Sequence, residues 1–161
     1  MEASVKEGDG YAVANLDDLG EGWGFRKVRK ELGVSAFGVN AIVMPPGYES
    51  GKHYHEEQEE LYFVHQGRME IDLDGTRHEL NPGGFARVNA KVVRSLKNLS
   101  SDEDAIYICV GGKDGYVGRD GRLPDGETDP RGPIKGLRVE GRSVGVVRST
   151  SAGRRVNWLT P

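Results

Sequence analysis

From Phe37 to Val110 the chain is a series of short apolar, β-branched segments, each cut off by a turn signal, and this punctuation points to an all-β fold. Phe37–Met44 stops at Pro45-Pro46-Gly47. Leu61–His65 ends near Gly67. Met69–Leu73 alternates apolar and acidic residues, as a strand with one wet face does, and Asp74-Gly75 after it is a hairpin turn signal. His78–Leu80 runs into Asn81-Pro82-Gly83-Gly84, a second tight turn. Phe85–Val88, Val92–Leu96 and Ala105–Val110 complete the series, and no window sustains a helical period. Many short strands with regular turns imply a sandwich or a barrel. Upstream, residues 1–24 are polar and glycine-rich and are predicted to form an arm with one short strand at Tyr11–Val13. Phe25–Arg29 is predicted as a further strand.

The 161 residues suit one domain with a modest core. No apolar run is long enough to span a membrane, and the first residues lack a charged-then-apolar signal pattern, so a cytoplasmic location is expected. The single cysteine, Cys109, cannot form an internal disulfide and is predicted to be a small buried hydrophobe. The net charge of −3 is unevenly spread: residues 131–161 carry seven Lys or Arg and one Glu, hence +6, against −9 for the rest. These basic residues are dispersed and no stacking aromatics are interleaved with them, which argues against nucleic-acid binding. A tail that docks on its own body or on a partner subunit accounts for the asymmetry. Residues 118–161 hold eight Gly and four Pro and are expected to form a basic C-terminal extension. Within it, Leu137–Val139 and Val144–Val146 could form a hairpin or add an edge strand.

The chemistry concentrates between Pro46 and Gly67. Residues two apart on a strand share a face, so His53 and His55 can both point inward while Tyr54 points away. Glu60 opens the next apolar strand and can return to the same pocket. Two imidazoles and a carboxylate suit a borderline divalent metal such as Zn, Mn, Fe, Co, Ni or Cu, and leave coordination positions open. The neighbouring acidic run Glu56-Glu57-Gln58-Glu59 favours a cation nearby, although Glu56, Glu57 and Glu59 individually read as a solvated loop. His65 and His78 read as surface residues. Tyr62 and Val64 share the inward parity of Glu60. Asn40, Met44, Phe85 and Tyr107 are further pocket candidates.

The pattern Gly47-x5-His53-x-His55-x4-Glu60-x6-Gly67 resembles the first motif of the cupin superfamily at all five positions. The second motif is matched in part: Pro82-Gly83-Gly84 gives its proline turn and Asn98 its terminal asparagine, while Gly75 lies one residue further from Pro82 than the family pattern has it. The resemblance covers about residues 25–116. It implies a single cupin barrel (a double-stranded β-helix, or jelly roll) with an N-terminal arm and a Gly/Arg-rich C-terminal tail, the barrel and arm together spanning 1–117. It also implies that a histidine belongs at position 94 as a fourth metal ligand, and Arg94 stands there instead.

A guanidinium has no lone pair to give a metal. Three arrangements follow. In one, a metal binds His53, His55 and Glu60 while Arg94 holds an anionic substrate. In another, no metal binds, Arg94 pairs with Glu60, and the barrel takes a small ligand. In the third, Arg94 points outward. Cupins share a barrel rather than a reaction. The resemblance implies dioxygenases, sugar-phosphate isomerases and epimerases, decarboxylases or non-catalytic binders. The leading expectation is a metal-dependent, dioxygenase-like or isomerase-like enzyme acting on a small, anionic molecule, with Tyr62 and Arg94 as catalytic and substrate-binding residues. The competing expectation is a metal-free binding module. A metal-free sugar-modifying enzyme, with His53 or His55 as base and Tyr62 as acid, is the third. A homodimer is expected, since cupins often pair through sheet edges.

Overall fold

The computed structural model describes residues 5–124. The segments Leu137–Val139 and Val144–Val146 lie outside the described residues. In chain order the strands are β1 (Lys6–Gly8), β2 (Tyr11–Val13), β3 (Gly24–Arg26), β4 (Gly38–Met44), β5 (Tyr54–His55), β6 (Glu59–Gln66), β7 (Met69–Leu73), β8 (Thr76–Leu80), β9 (Phe85–Val88), β10 (Arg94–Asn98), β11 (Ala105–Gly112) and β12 (Gly121–Arg122). A 3₁₀ turn at Leu16–Leu19 and a one-turn helix α1 at Val28–Glu31 are the helical pieces among the described residues.

The barrel is built from two sheets. One is five-stranded, ordered β3-β4-β11-β6-β9, and the other is β10-β7-β8. The chain between Tyr48 and His53 runs antiparallel along the free edge of β10, with bridges Glu49 to Lys97 and His53 to Arg94. It leads into β5, which pairs with β12. β1 and β2 form a separate hairpin, so the arm holds two short strands, Tyr11–Val13 among them.

Strand periodicity decides which side chains enter the barrel. Along β6, Glu60, Tyr62 and Val64 are buried while Glu59, Leu61 and His65 are exposed. β11 sends in Ala105, Tyr107 and Cys109, β7 sends in Met69 and Ile71, and β4 adds Ile42 and Met44. Each large apolar side chain withdrawn from water contributes about 1.5–3 kcal/mol. At the β7–β8 turn, Asp74 and Gly75 have φ of 51° and 87°, the twin left-handed pair of a two-residue hairpin loop. At Gly67 (φ 80°) a Cβ would lie 2.8 Å from the Cα of Ala105, so the turn after β6 closes against β11 only without a side chain.

Three expectations change. The predicted strand Phe25–Arg29 ends at Arg26, and Val28–Glu31 turns into α1, which lies against β4. The strand predicted at Val92–Leu96 runs from Arg94 to Asn98. Phe85 is not a pocket residue: it is 62% exposed and packs on Phe63 across the outer face of β6 and β9, ring centroids 4.7 Å apart. Asn40, Met44 and Tyr107 are buried, and His65 and His78 are on the surface.

Candidate metal centre

Backbone pairing in the two sheets brings the candidate residues to one end of the barrel. In the five-stranded sheet, Glu60 stands opposite Gly111, and Tyr62 opposite Cys109. In the other, His53 N–H donates to the Arg94 carbonyl at 3.0 Å, and Arg94 N–H donates back to the His53 carbonyl at 2.8 Å. The parity argument for His53 and His55 holds: both are buried, Tyr54 is half-buried, and Lys91 Nζ lies over the Tyr54 ring. One potential donor atom from each of His53, His55 and Glu60 lies within 4.8 Å of the others.

Each ligand candidate is held from behind. His53 Nδ1 faces the Gly51 carbonyl at 3.4 Å, and its Nε2 is buried without a hydrogen-bond partner among the described residues. A ring that donates from Nδ1 keeps a lone pair on Nε2. His55 Nε2 lies 3.2 Å from Glu60 Oε1, and its Nδ1 lies 3.0 Å from the Gln58 amide nitrogen. Glu60 divides its two oxygens. Oε1 faces the histidine side, near His55, the Gln58 amide (3.4 Å) and the Cys109 thiol (3.4 Å). Oε2 accepts the Tyr62 hydroxyl and lies 3.4 Å from Arg94 Nη2.

Arg94 points inward and is completely buried, which removes the outward arrangement. Its Nη1 donates to the Ala90 carbonyl at 2.9 Å and the Val92 carbonyl at 2.7 Å. Nε and Nη2 make no aligned hydrogen bond among the described residues, so the contact with Glu60 is an ion pair with donor capacity left over.

Sequence reasoning missed two contributors. Gln58, inside the acidic run, is fully buried. It shares the parity of Glu60, and being uncharged among acids was its one available signal. Gly111 makes room for it: a Cβ there would lie 3.0 Å from Gln58 Oε1 and 3.3 Å from Glu60 Cγ. Asp120 lies on the segment after β11 and carried no local signal; its carboxylate caps the loop at 56–58. Asn98, matched to the second motif, donates to the carbonyls of Met44, Pro45 and Glu103 and ties the sheets together. Cys109 is buried as expected, and its thiol also donates to Glu60.

Burial pushes the His53 imidazole down to about 4, against the upward pull of Glu60. Burial alone would raise the Glu60 carboxyl, but the hydrogen bond and charge of His55, then His53 and Arg94, hold it down to about 2. Burial pushes the Tyr62 hydroxyl and Cys109 thiol well above their ordinary ranges, so both keep their protons. At neutral pH the cluster therefore holds a neutral imidazole at His53 and an ionised carboxylate at Glu60. This donor set fits a divalent cation: Glu60 Oε1 and the vacant nitrogen of His53 are on hand, and Arg94 and Tyr62 stay on Oε2.

The same shifts imply acid lability. As pH falls from 6.5 towards about 4, the unfolded chain protonates His53 while the folded one resists. As it falls from 4.5 towards about 2, the same holds for Glu60. In both windows the unfolded state binds more protons, so stability declines on acidification. Between pH 7 and 4 the metal-free protein is expected to lose about 3 kcal/mol through His53. Urea unfolding across that range would check this, and a flat profile would contradict it.

Residues 40–111 match the sequence model of the family described as Cupin domain. A cupin protein from Bacteroides fragilis superposes with a TM-score of 0.56 at 19% identity, over 86% of this chain and 99% of that one. A sugar phosphate isomerase of the cupin superfamily from Silicibacter pomeroyi gives 0.50 at 28% identity, over 55% and 58%. Quercetin 2,3-dioxygenase of Bacillus subtilis (strain 168) is 34% identical over 68 residues, which is 42% of this chain and 20% of that protein. The chain spans only 20–53% of the length of the curated relatives it matches. With the barrel and the two-histidine, one-carboxylate cluster in place, residues 40–111 are a cupin domain.

Among the described residues, no helix is long and apolar enough to cross a membrane.

Proposed function

We propose that this chain is a metal-dependent cupin acting on a small anionic molecule, with His53, His55 and Glu60 as metal ligands and Arg94 as the group that receives the anion. The observation that carries this reading is the charge balance of the sealed pocket. Arg94 and Glu60 neutralise each other in a fully buried pair. A divalent ion added to that pair brings two positive charges that the buried Asp120 carboxylate, 3.7 Å from His55 Nδ1, offsets only in part, and an anionic ligand moves the site to neutrality. The spare Nε and Nη2 donors of Arg94 suit a carboxylate or phosphate group.

A divalent ion held here supplies Lewis-acid chemistry and, if redox-active, electron transfer. The protein's own residues do the rest. Arg94 orients the anionic end. Tyr62 keeps its proton on Glu60 Oε2 and holds that carboxylate in one orientation. The relatives named as a quercetin dioxygenase and a sugar phosphate isomerase support two reaction classes, dioxygenase-like and isomerase-like. A metal-free ligand binder is the second reading, favoured by the Arg94–Glu60 pair, which satisfies the carboxylate without a metal.

Metal analysis of protein purified without chelator, followed by thermal-shift screening, separates the two. The enzyme reading expects bound or titratable divalent metal and stabilisation by small organic anions that grows when metal is present. Stabilisation by anions alone, with no metal uptake, would establish the binder.

A further inference from the structure

The inner face of the five-stranded sheet carries Glu60 and Tyr62, but its outer face is only half covered by the chain itself. On β4 the outward residues Val39, Ala41 and Val43 are buried, and α1 lies against that strand. The register sets Ile106, Ile108 and Val110 of β11 beside them, then Phe63 and Leu61 of β6, then Phe85 of β9. Strand parity puts these six on one side of the sheet. The β11 residues and Phe63 are half-buried, whereas Leu61 is 40% and Phe85 62% exposed. Scattered exposed apolar residues are ordinary, but a contiguous patch with a polar rim marks a docking surface.

The charges at the rim select the occupant. At one end Glu59 and Arg87 neutralise each other at 2.8 Å. One residue past the Gly112–Glu59 pair, Lys113 and Asp114 do the same, also at 2.8 Å. The far end of β6 carries His65 and Gln66, both exposed and neither an acid. An anionic partner would need a surplus of Lys or Arg here, and a cationic one a surplus of acids; the paired rim offers neither. Residues 1–130 carry a net charge of −9, so two copies repel over the body as a whole. This face brings its own counter-charges and meets its like without that repulsion. An apolar, aromatic centre inside a charged rim is also the anatomy of a protein–protein interface, and two such sheet faces stack about 10 Å apart.

We infer that the outer face of β11, β6 and β9 docks the same face of a second copy, giving an isologous dimer centred on Leu61, Phe63 and Phe85. This is packing of sheet faces, distinct from the pairing through sheet edges expected from the sequence. It is independent of the metal-site reading.

Light scattering on the full chain tests it. Wild type at micromolar concentration should give twice the 17.6 kDa chain mass. Leu61→Glu and Phe85→Glu should each weaken association at least about a hundredfold and give the single-chain mass, with unchanged far-UV circular dichroism. Leu61 is the decisive position, because β6 lies between β11 and β9 and has no free edge. A wild type of single-chain mass would overturn the proposal and mean that other residues of the chain, or a different protein, cover the face. A dimer that survives L61E would overturn it too, and its loss in F85E alone would point to the edge of β9. If L61E does not accumulate, Arg87→Glu carries the readout by making each rim acidic. Association about tenfold weaker, restored in E59R/R87E, would support the face, and unchanged association in R87E would overturn it.

Discussion

Replacing Arg94 with methionine is expected to lower the stability of the metal-free protein by about 3–5 kcal/mol and, at the same time, to tighten divalent-metal binding at least about tenfold. The stability loss follows from what Arg94 does in the sealed pocket. It is completely buried, its Nη1 satisfies two carbonyls of the Ala90–Val92 loop, and its Nη2 is the cation paired with Glu60. Methionine fills much of the volume but leaves an ionised carboxylate without its counter-charge and two carbonyls without donors. The gain in affinity follows from the same geometry, because a divalent ion replaces the missing positive charge and no longer meets a guanidinium. Denaturant unfolding with and without zinc measures both effects. Weaker metal binding by R94M than by wild type would mean that Arg94 shapes the site rather than opposing the ion.

Glu60→Gln is the complementary case and is expected to reduce divalent-metal affinity by more than about a hundredfold, through loss of the only anionic ligand in the cluster. It should also destabilise the metal-free protein by about 3–5 kcal/mol, since Arg94 would be left charged, buried and unpaired. The two losses share one interaction. The double variant E60Q/R94M should therefore be more stable than the two single costs imply, by a coupling of about 1–3 kcal/mol in a double-mutant cycle. Strict additivity would show that the 3.4 Å contact between the two residues contributes nothing.

The parts of the molecule that were legible in the sequence are those set by local chemistry. Asp74-Gly75 specifies its own hairpin, because both residues tolerate the left-handed backbone that the turn requires. Strand parity was enough to place His53, His55, Glu60, Tyr62 and Val64 inside. Parity fails where a strand has no buried partner on one side: Phe85, on the edge strand β9, lies on the outer face. The one-turn helix at Val28–Glu31 is too short to show a period. The identity of residue 94 was visible from the motif, but its direction depends on the pairing of β10 with the chain at His53, which no local pattern reveals. Asp120 is the extreme case. It reaches Gln58 across 62 residues of sequence, from a stretch whose glycines and prolines read as an extension.

The central claim is that His53, His55 and Glu60 form a metal site despite the arginine beside them. Titration of cobalt(II) into the wild-type chain and into E60Q, followed by visible absorbance, tests it most directly. Wild type should bind one equivalent and develop the absorption of nitrogen- and oxygen-ligated cobalt, and E60Q should develop none at the same concentrations. No uptake by wild type, or equal uptake by both, would contradict it.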